Sequence, residues 1–137
     1  MCAPAEDSGF ATLAAAQAPT VTAPDGASVQ VLLSLRGGSM ATFTLQPGQV
    51  SAAMTHRSVE ELWYVVAGRG RMWRRDAERD EIVALRPGLC LSVPLGTAFQ
   101  FRCEGETPLV AVAVTMPPWP GDGEAVGVEG AWEAAAG

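Results

Sequence analysis

Between Val29 and Met116 the apolar positions come in short stretches of five to eight residues and never in a long block. The stretches are VQVLLSL (29–35), MATFTL (40–45), VSAAMTH (50–56), ELWYVV (61–66), RMWRR (71–75), EIVAL (81–85), LCLSV (89–93), AFQFRC (98–103) and LVAVAVTM (109–116). Pieces rich in Gly and Pro separate them: RGG, QPGQ, AGRG, RPG, PLG and EGETP. No segment in this span keeps the i, i+3, i+4 spacing of an amphipathic helix, whereas closely spaced short runs with turn punctuation predict an all-β sandwich or barrel. Alternation assigns faces within each run. Glu61, Trp63 and Val65 share one side of their strand, Met54 shares a side with His56, and Phe99 with Phe101. By the same rule Gln100, Arg102, Arg57 and Glu60 should point outward.

The flanks differ in texture. Residues 1–26 are Ala- and Pro-rich, with one apolar patch, FATLAAA at 10–16, and read as an N-terminal arm or short helix. Residues 27–116 hold the barrel. The tail, 117–137, carries too many Pro and Gly for a strand or a long helix. Its two tryptophans, Trp119 and Trp132, are costly to leave in water, so the tail is expected to pack on the barrel.

Composition narrows the function. A chain of 137 residues with 48% hydrophobic content suits one domain with a real core. A formal net charge of −6 argues against nucleic acid or an anionic membrane as partner, since both demand a basic patch. The one basic run, Arg69 to Arg79, is interrupted by Asp76 and Glu78 and reads as the solvated end of a hairpin. No apolar run reaches the roughly 18 residues of a membrane span. The opening MCAPAEDSGF is acidic where a secretory signal is basic, so a cytoplasmic location is expected. Three cysteines (Cys2, Cys90, Cys103) without close spacing do not make a disulfide framework or a zinc knuckle, and Cys90 and Cys103 read as buried thiols. All nine basic residues are Arg, which excludes Schiff-base chemistry on Lys. The only histidine is His56, so neither a three-His zinc site nor a two-His-one-carboxylate iron site can be built within one chain.

The spacing of two segments brings in a family. The first is Gly48, QVSAA, Met54, Thr55, His56, RSVE, Glu61, LWYVVA, Gly68; the second is Gly88, LCLSV, Pro94, Leu95, Gly96, TA, Phe99, QFR, Cys103. Both resemble, without a gap, the paired signature motifs of the cupins, G-x5-H-x-H-x3–4-E-x6-G and G-x5-P-x-G-x2-H-x3-N. The chain thus resembles small single-domain bacterial cupins, and the resemblance implies a double-stranded β-helix, a jelly-roll-like barrel. It also implies a homodimer, because cupins commonly pair through barrel edges and exchanged termini. Cupins bind a metal through two His, a Glu and a third His. Those four places here hold Met54, His56, Glu61 and Phe99, which makes the metal site degenerate.

The resulting interior is an apolar, aromatic pocket of Met54, Trp63, Val65, Phe99 and Phe101 around His56 and Glu61. Three readings stay open. In the first, His56 and Glu61 form a metal-free acid–base pair in a lyase, isomerase or cyclase acting on a small organic acid or polyketide-like molecule, the carboxylate raising the imidazole pKa and desolvation opposing it. In the second, no cofactor beyond a weakly held divalent metal sits on His56 and Glu61, as in a dioxygenase-like cupin; Met54 would be a poor ligand for zinc, iron(II) or manganese(II). In the third the barrel is non-catalytic, a ligand-binding or structural scaffold in which His56 is simply hydrogen-bonded to Glu61. Asp122 and Glu124 receive no chemical role, and Cys103 reads as core.

Overall fold

A computed structural model describes residues 9–137. Cys2 and most of the acidic opening segment lie outside the described residues. Among the described residues thirteen strands form two antiparallel sheets, an all-β double-stranded β-helix. The strands are β1 (Thr20–Thr22), β2 (Ser28–Leu35), β3 (Gly38–Leu45), β4 (Gln49–Val50), β5 (Met54–His56), β6 (Glu60–Ala67), β7 (Gly70–Arg75), β8 (Asp80–Leu85), β9 (Cys90–Val93), β10 (Ala98–Cys103), β11 (Leu109–Met116), β12 (Ala125–Gly127) and β13 (Ala135–Ala136). One sheet runs β1-β2-β3-β11-β6-β9. In the other, β10 pairs with β7 along one edge and with β4 and β5 along the other; β8 continues beyond β7, and β12 and β13 beyond β5 and β4.

The alternation read from the sequence is the alternation observed. Along β6, Glu61, Trp63 and Val65 are buried while Leu62, Tyr64 and Val66 face outward, and along β11 Leu109, Ala111, Ala113 and Thr115 are buried. Their inward side chains meet Leu45, Met72, Leu85, Val93 and Phe101 in one continuous core. Burying a side chain such as Phe101 stabilises the fold by roughly 1.5–3 kcal/mol. Gly68, which closes the first motif, turns with a positive φ of 84°. A Cβ there would collide with the Pro108 carbonyl, so only glycine lets the β6–β7 turn lie against the start of β11.

Four features depart from the sequence reading. The stretch 50–56 is two strands, because the backbone between them finds other partners: Ser51 N donates to Phe101 O (2.9 Å), Ala52 N to Asp25 O (2.8 Å), and Val128 N to Ala53 O (3.0 Å). The flanks contribute strands of their own. β1 joins the first sheet, and β12 and β13 extend the second; the FATLAAA patch makes no more than a 3-10 turn at Ala15–Gln17. Cys90 is exposed, whereas Cys103 is buried as expected. Gln100 does not face water: it is 1% exposed.

That last difference has a clear cause. Alternation sends Gln100 to the outer face of β10, but the tail covers this face. The Gln100 amide donates to Ser51 O (2.8 Å) and Trp132 O (2.7 Å), and its oxygen accepts from Trp132 N (3.0 Å). Arg102, half-buried, stacks its guanidinium 5.2 Å from the Trp132 ring. Ala53, Trp73 and Ala98 with Val128 and Trp132 form a second small core under the tail. Among the described residues no helix is long and apolar enough to cross a membrane.

Candidate functional site

β5, β6 and β10 bring the motif positions together at one end of the barrel. Phe99 pairs directly with Met54 across β10 and β5. Glu61 points into the same space from the facing sheet, where it lies between Thr115 and Val93. These residues line a cavity of about 480 Å³, which Trp63, Phe43, Ala113 and Thr115 also border. The arm lines it with residues 19 and 21–25, and the tail with Trp119, Gly121, Asp122 and Ala125. The barrel is therefore open inside and not plugged by Met54 and Phe99. Val65 and Phe101, assigned to the pocket by the sequence reading, do not line the cavity. Both are fully buried in the core beneath it, where Phe101 packs edge-on against Trp63 at 5.0 Å.

Two ionisable groups sit at the cavity wall. His56 is 9% exposed, its ring edge-on between Phe99 (5.3 Å) and Trp119 (5.1 Å). Glu61 is 3% exposed, and its Oε1 accepts a hydrogen bond from Trp63 Nε1 at 2.8 Å. Trp63 is itself held flat against Phe43, with ring centroids 5.0 Å apart. His56 Nδ1 lies 3.9 Å from Glu61 Oε2, too far for a hydrogen bond, and among the described residues this buried nitrogen has no other partner. The hydrogen-bonded His56–Glu61 pair read from the sequence is thus not formed.

The electrostatics also differ from expectation. Burial lowers the pKa of His56, and the negative charge of Glu124 offsets this only partly. Burial pushes Glu61 up to about 7, against the stabilising Trp63 N–H and with a further push from the Asp25 charge. The group poised near neutrality is consequently the carboxyl, and the imidazole is the neutral partner.

Three contributors escape the sequence reading. The sequence places Trp119 on the barrel only in general terms; its contact is the His56 ring. Glu124 is buried and accepts from Ser58 N (2.7 Å), Ser58 Oγ (2.6 Å) and Val59 N (2.9 Å), which ties the tail to the loop after His56. Although burial pushes its carboxyl up, those hydrogen bonds outweigh it and hold the pKa low. Asp25 borders the cavity from the arm, with Oδ1 accepting from Ala27 N (3.0 Å); burial raises its pKa against that bond. Only the Asp25-Gly26 turn signal and the apolar cost of Trp119 hint at such positions.

The residues do not fit a cupin metal. Of the four ligand places, Met54 offers a weak thioether and Phe99 offers nothing. Among the described residues no three His, Cys, Asp or Glu side chains converge closely enough to hold an ion.

The Cupin domain family matches residues 41–115. A search of curated protein sequences finds no match. Solved structures share the fold at low identity. An uncharacterized conserved protein with a double-stranded β-helix domain from Klebsiella pneumoniae is 17% identical with a TM-score of 0.67, covering 87% of this chain and 97% of that one. Oxalate decarboxylase from Bacillus subtilis is 16% identical with a TM-score of 0.70, covering 83% of this chain and 30% of that one. Capsular polysaccharide assembling protein CapF from Staphylococcus aureus is 20% identical with a TM-score of 0.64, covering 81% and 34%. This chain therefore spans about a third of the latter two. With the motif spacing, the barrel and a family match over more than half its length in agreement, the chain belongs to the cupin family.

Proposed function

We propose that this cupin binds a small, largely apolar molecule in its barrel and moves a proton on it without a metal, as a lyase, isomerase or cyclase does. The observation that carries this reading is that His56 and Glu61 border one aromatic cavity, 3.9 Å apart and not hydrogen-bonded to each other. Near neutrality Glu61 is shared between its two protonation states, the condition under which one group both takes and returns a proton efficiently. In its ionised form Glu61 Oε2 takes a proton from a substrate carbon, and the same carboxyl returns it at a second position. Neutral His56 borders the substrate's space beside the carboxyl, and the Trp63 N–H fixes the carboxylate's orientation. Phe43, Phe99 and Trp119 exclude water from the apolar body of the substrate.

The test is hydrogen–deuterium exchange by NMR on a panel of enolisable ketones, neutral and amine-bearing, in heavy water at pH 7. Exchange at the α-carbon by the native protein, lost in Glu61→Gln with fold intact, supports the reading. Binding without exchange would establish a ligand-holding barrel instead. Metal found near stoichiometry by elemental analysis, and needed for exchange, would replace the acid–base account altogether.

A further inference from the structure

The ionisable side chains that border the cavity are Asp25, His56, Glu61 and Asp122. Three are carboxyls, and His56 is held toward its neutral form by burial. None of the nine arginines borders it among the described residues, and the chain has no lysine. Arg57, next in sequence to His56, turns away and donates from Nε to Gly123 O at 2.7 Å on the outside of the tail. Glu124 adds a further negative charge behind the imidazole. The polar groups that remain are largely engaged: Ser39 bonds Thr115, and Trp63 Nε1 is committed to Glu61. An organic anion entering here would be desolvated beside carboxyls with no cation to receive it, which is unfavourable in a low-dielectric site.

A cation meets the opposite situation. Acceptors await it at Glu61 and Asp25, and the His56 ring borders the same cavity beside them. An ammonium supplies three donors from one atom, and the Trp119, Trp63 and Phe99 rings offer faces and edges for both the charge and its apolar body. We propose that the cavity selects an apolar molecule bearing one protonated amine, with the ammonium seated against the Glu61 and Asp25 carboxyls, and discriminates against carboxylates. This rests on reading His56 and Glu61 as the ligand-facing pair, and it replaces the organic acid suggested by sequence with an amine.

A matched set with one apolar body tests it: 2-phenylethylamine, 2-phenylethanol and 3-phenylpropionate, titrated calorimetrically into the full chain at pH 7. The amine should bind roughly tenfold or more tightly than the alcohol, a charged hydrogen bond's usual margin, and the carboxylate more weakly than either. Glu61→Gln should erase the amine's advantage, and Asp25→Asn, which keeps an oxygen for Ala27 N, should reduce it. Amine binding should also release protons to buffer, because a bound cation favours ionised Glu61. Equal affinity for amine and alcohol, preference for the carboxylate, or no binding by the amine at millimolar concentration would each overturn the proposal. Binding is read without turnover, so amine selectivity in the absence of carbon–hydrogen exchange would retain this inference and remove only the catalytic reading.

Discussion

His56 Nδ1 and Glu61 Oε2 face each other at 3.9 Å, both buried, with no hydrogen bond between them. A neutral imidazole and a carboxyl at bonding distance would satisfy one another and form inert packing. Held an ångström further apart, they leave a polar gap in an apolar wall. An unsatisfied buried polar atom costs about 1–3 kcal/mol, so the unbonded His56 Nδ1 is a cost that the fold carries at this wall.

The pair also makes stability depend on pH in two opposed ways. Glu61 has a folded pKa of about 7 against an ordinary value of 4.5, so the folded state binds the extra proton. Its contribution is full at low pH, falls as pH rises from about 4.5 to about 7, and leaves a penalty on the order of 3 kcal/mol above that range. His56, with its folded pKa lowered, opposes folding as pH falls below the ordinary imidazole value of 6.5. Thermal denaturation from pH 4 to 9 should show Glu61→Gln gaining melting temperature over the native protein at pH 8 and little at pH 4.5. An equal gain at both pH values would contradict the assignment.

Restoring the missing ligands should restore a metal. Met54 and Phe99 are paired neighbours on β5 and β10, beside His56 and across from Glu61. The combined change Met54→His and Phe99→His completes three imidazoles and a carboxylate, a donor set suited to zinc, iron(II) or manganese(II). Elemental analysis should find near-stoichiometric divalent metal in that variant and far less in the native chain. Equal loading of the two would mean that His56 and Glu61 suffice.

Gln100 should be worth more than a surface glutamine. Its amide makes three hydrogen bonds that join β10, the Ser51 bend and the tail at Trp132. Gln100→Ala should cost about 2–4 kcal/mol, at roughly 1 kcal/mol per bond plus the partners left unsatisfied. Amide exchange over 125–137 should rise selectively. Uniform loosening of the whole barrel, with the tail no more affected than the rest, would assign Gln100 to the core alone.

Assembly is a separate question with its own surface. Leu62, Tyr64 and Val66 project outward from β6 beside Val112 and Val114 of β11. The homodimer expected from the family resemblance pairs through barrel edges and exchanged termini; we propose this outer face as the alternative surface for a second copy. Leu62→Asp should then shift the chain from dimer to monomer by light scattering without lowering the monomer's helix-free far-UV signature; a native monomer at micromolar concentration would remove the proposal.

The sequence exposed the barrel well, and the reason is physical: a period of two survives wherever one face is dry and the other wet. Glu61, Trp63 and Val65 on β6 obeyed it. Gln100 broke it because a second layer, the tail, dried the outer face of β10, and no pattern local to β10 encodes that layer. The motif spacing likewise placed His56 and Glu61 in one cavity. It could not supply the 3.9 Å that separates a spent pair from an open one, nor the burial that makes Glu61 the titrating partner. Trp119 reached His56 through more than sixty intervening residues, a proximity that only the closed fold creates.

The tail's hold on β10 redraws the unit that must be handled as one piece. The family's domain match ends at Thr115, yet Trp73, Ala98 and Gln100 pack against Val128 and Trp132 of the segment beyond that residue. A truncation guided by the domain boundary would strip that cover, uncover apolar side chains along an edge of the second sheet and leave the His56 side of the cavity without Trp119. Transplanting this pocket into another protein therefore means carrying the last twenty-odd residues with it.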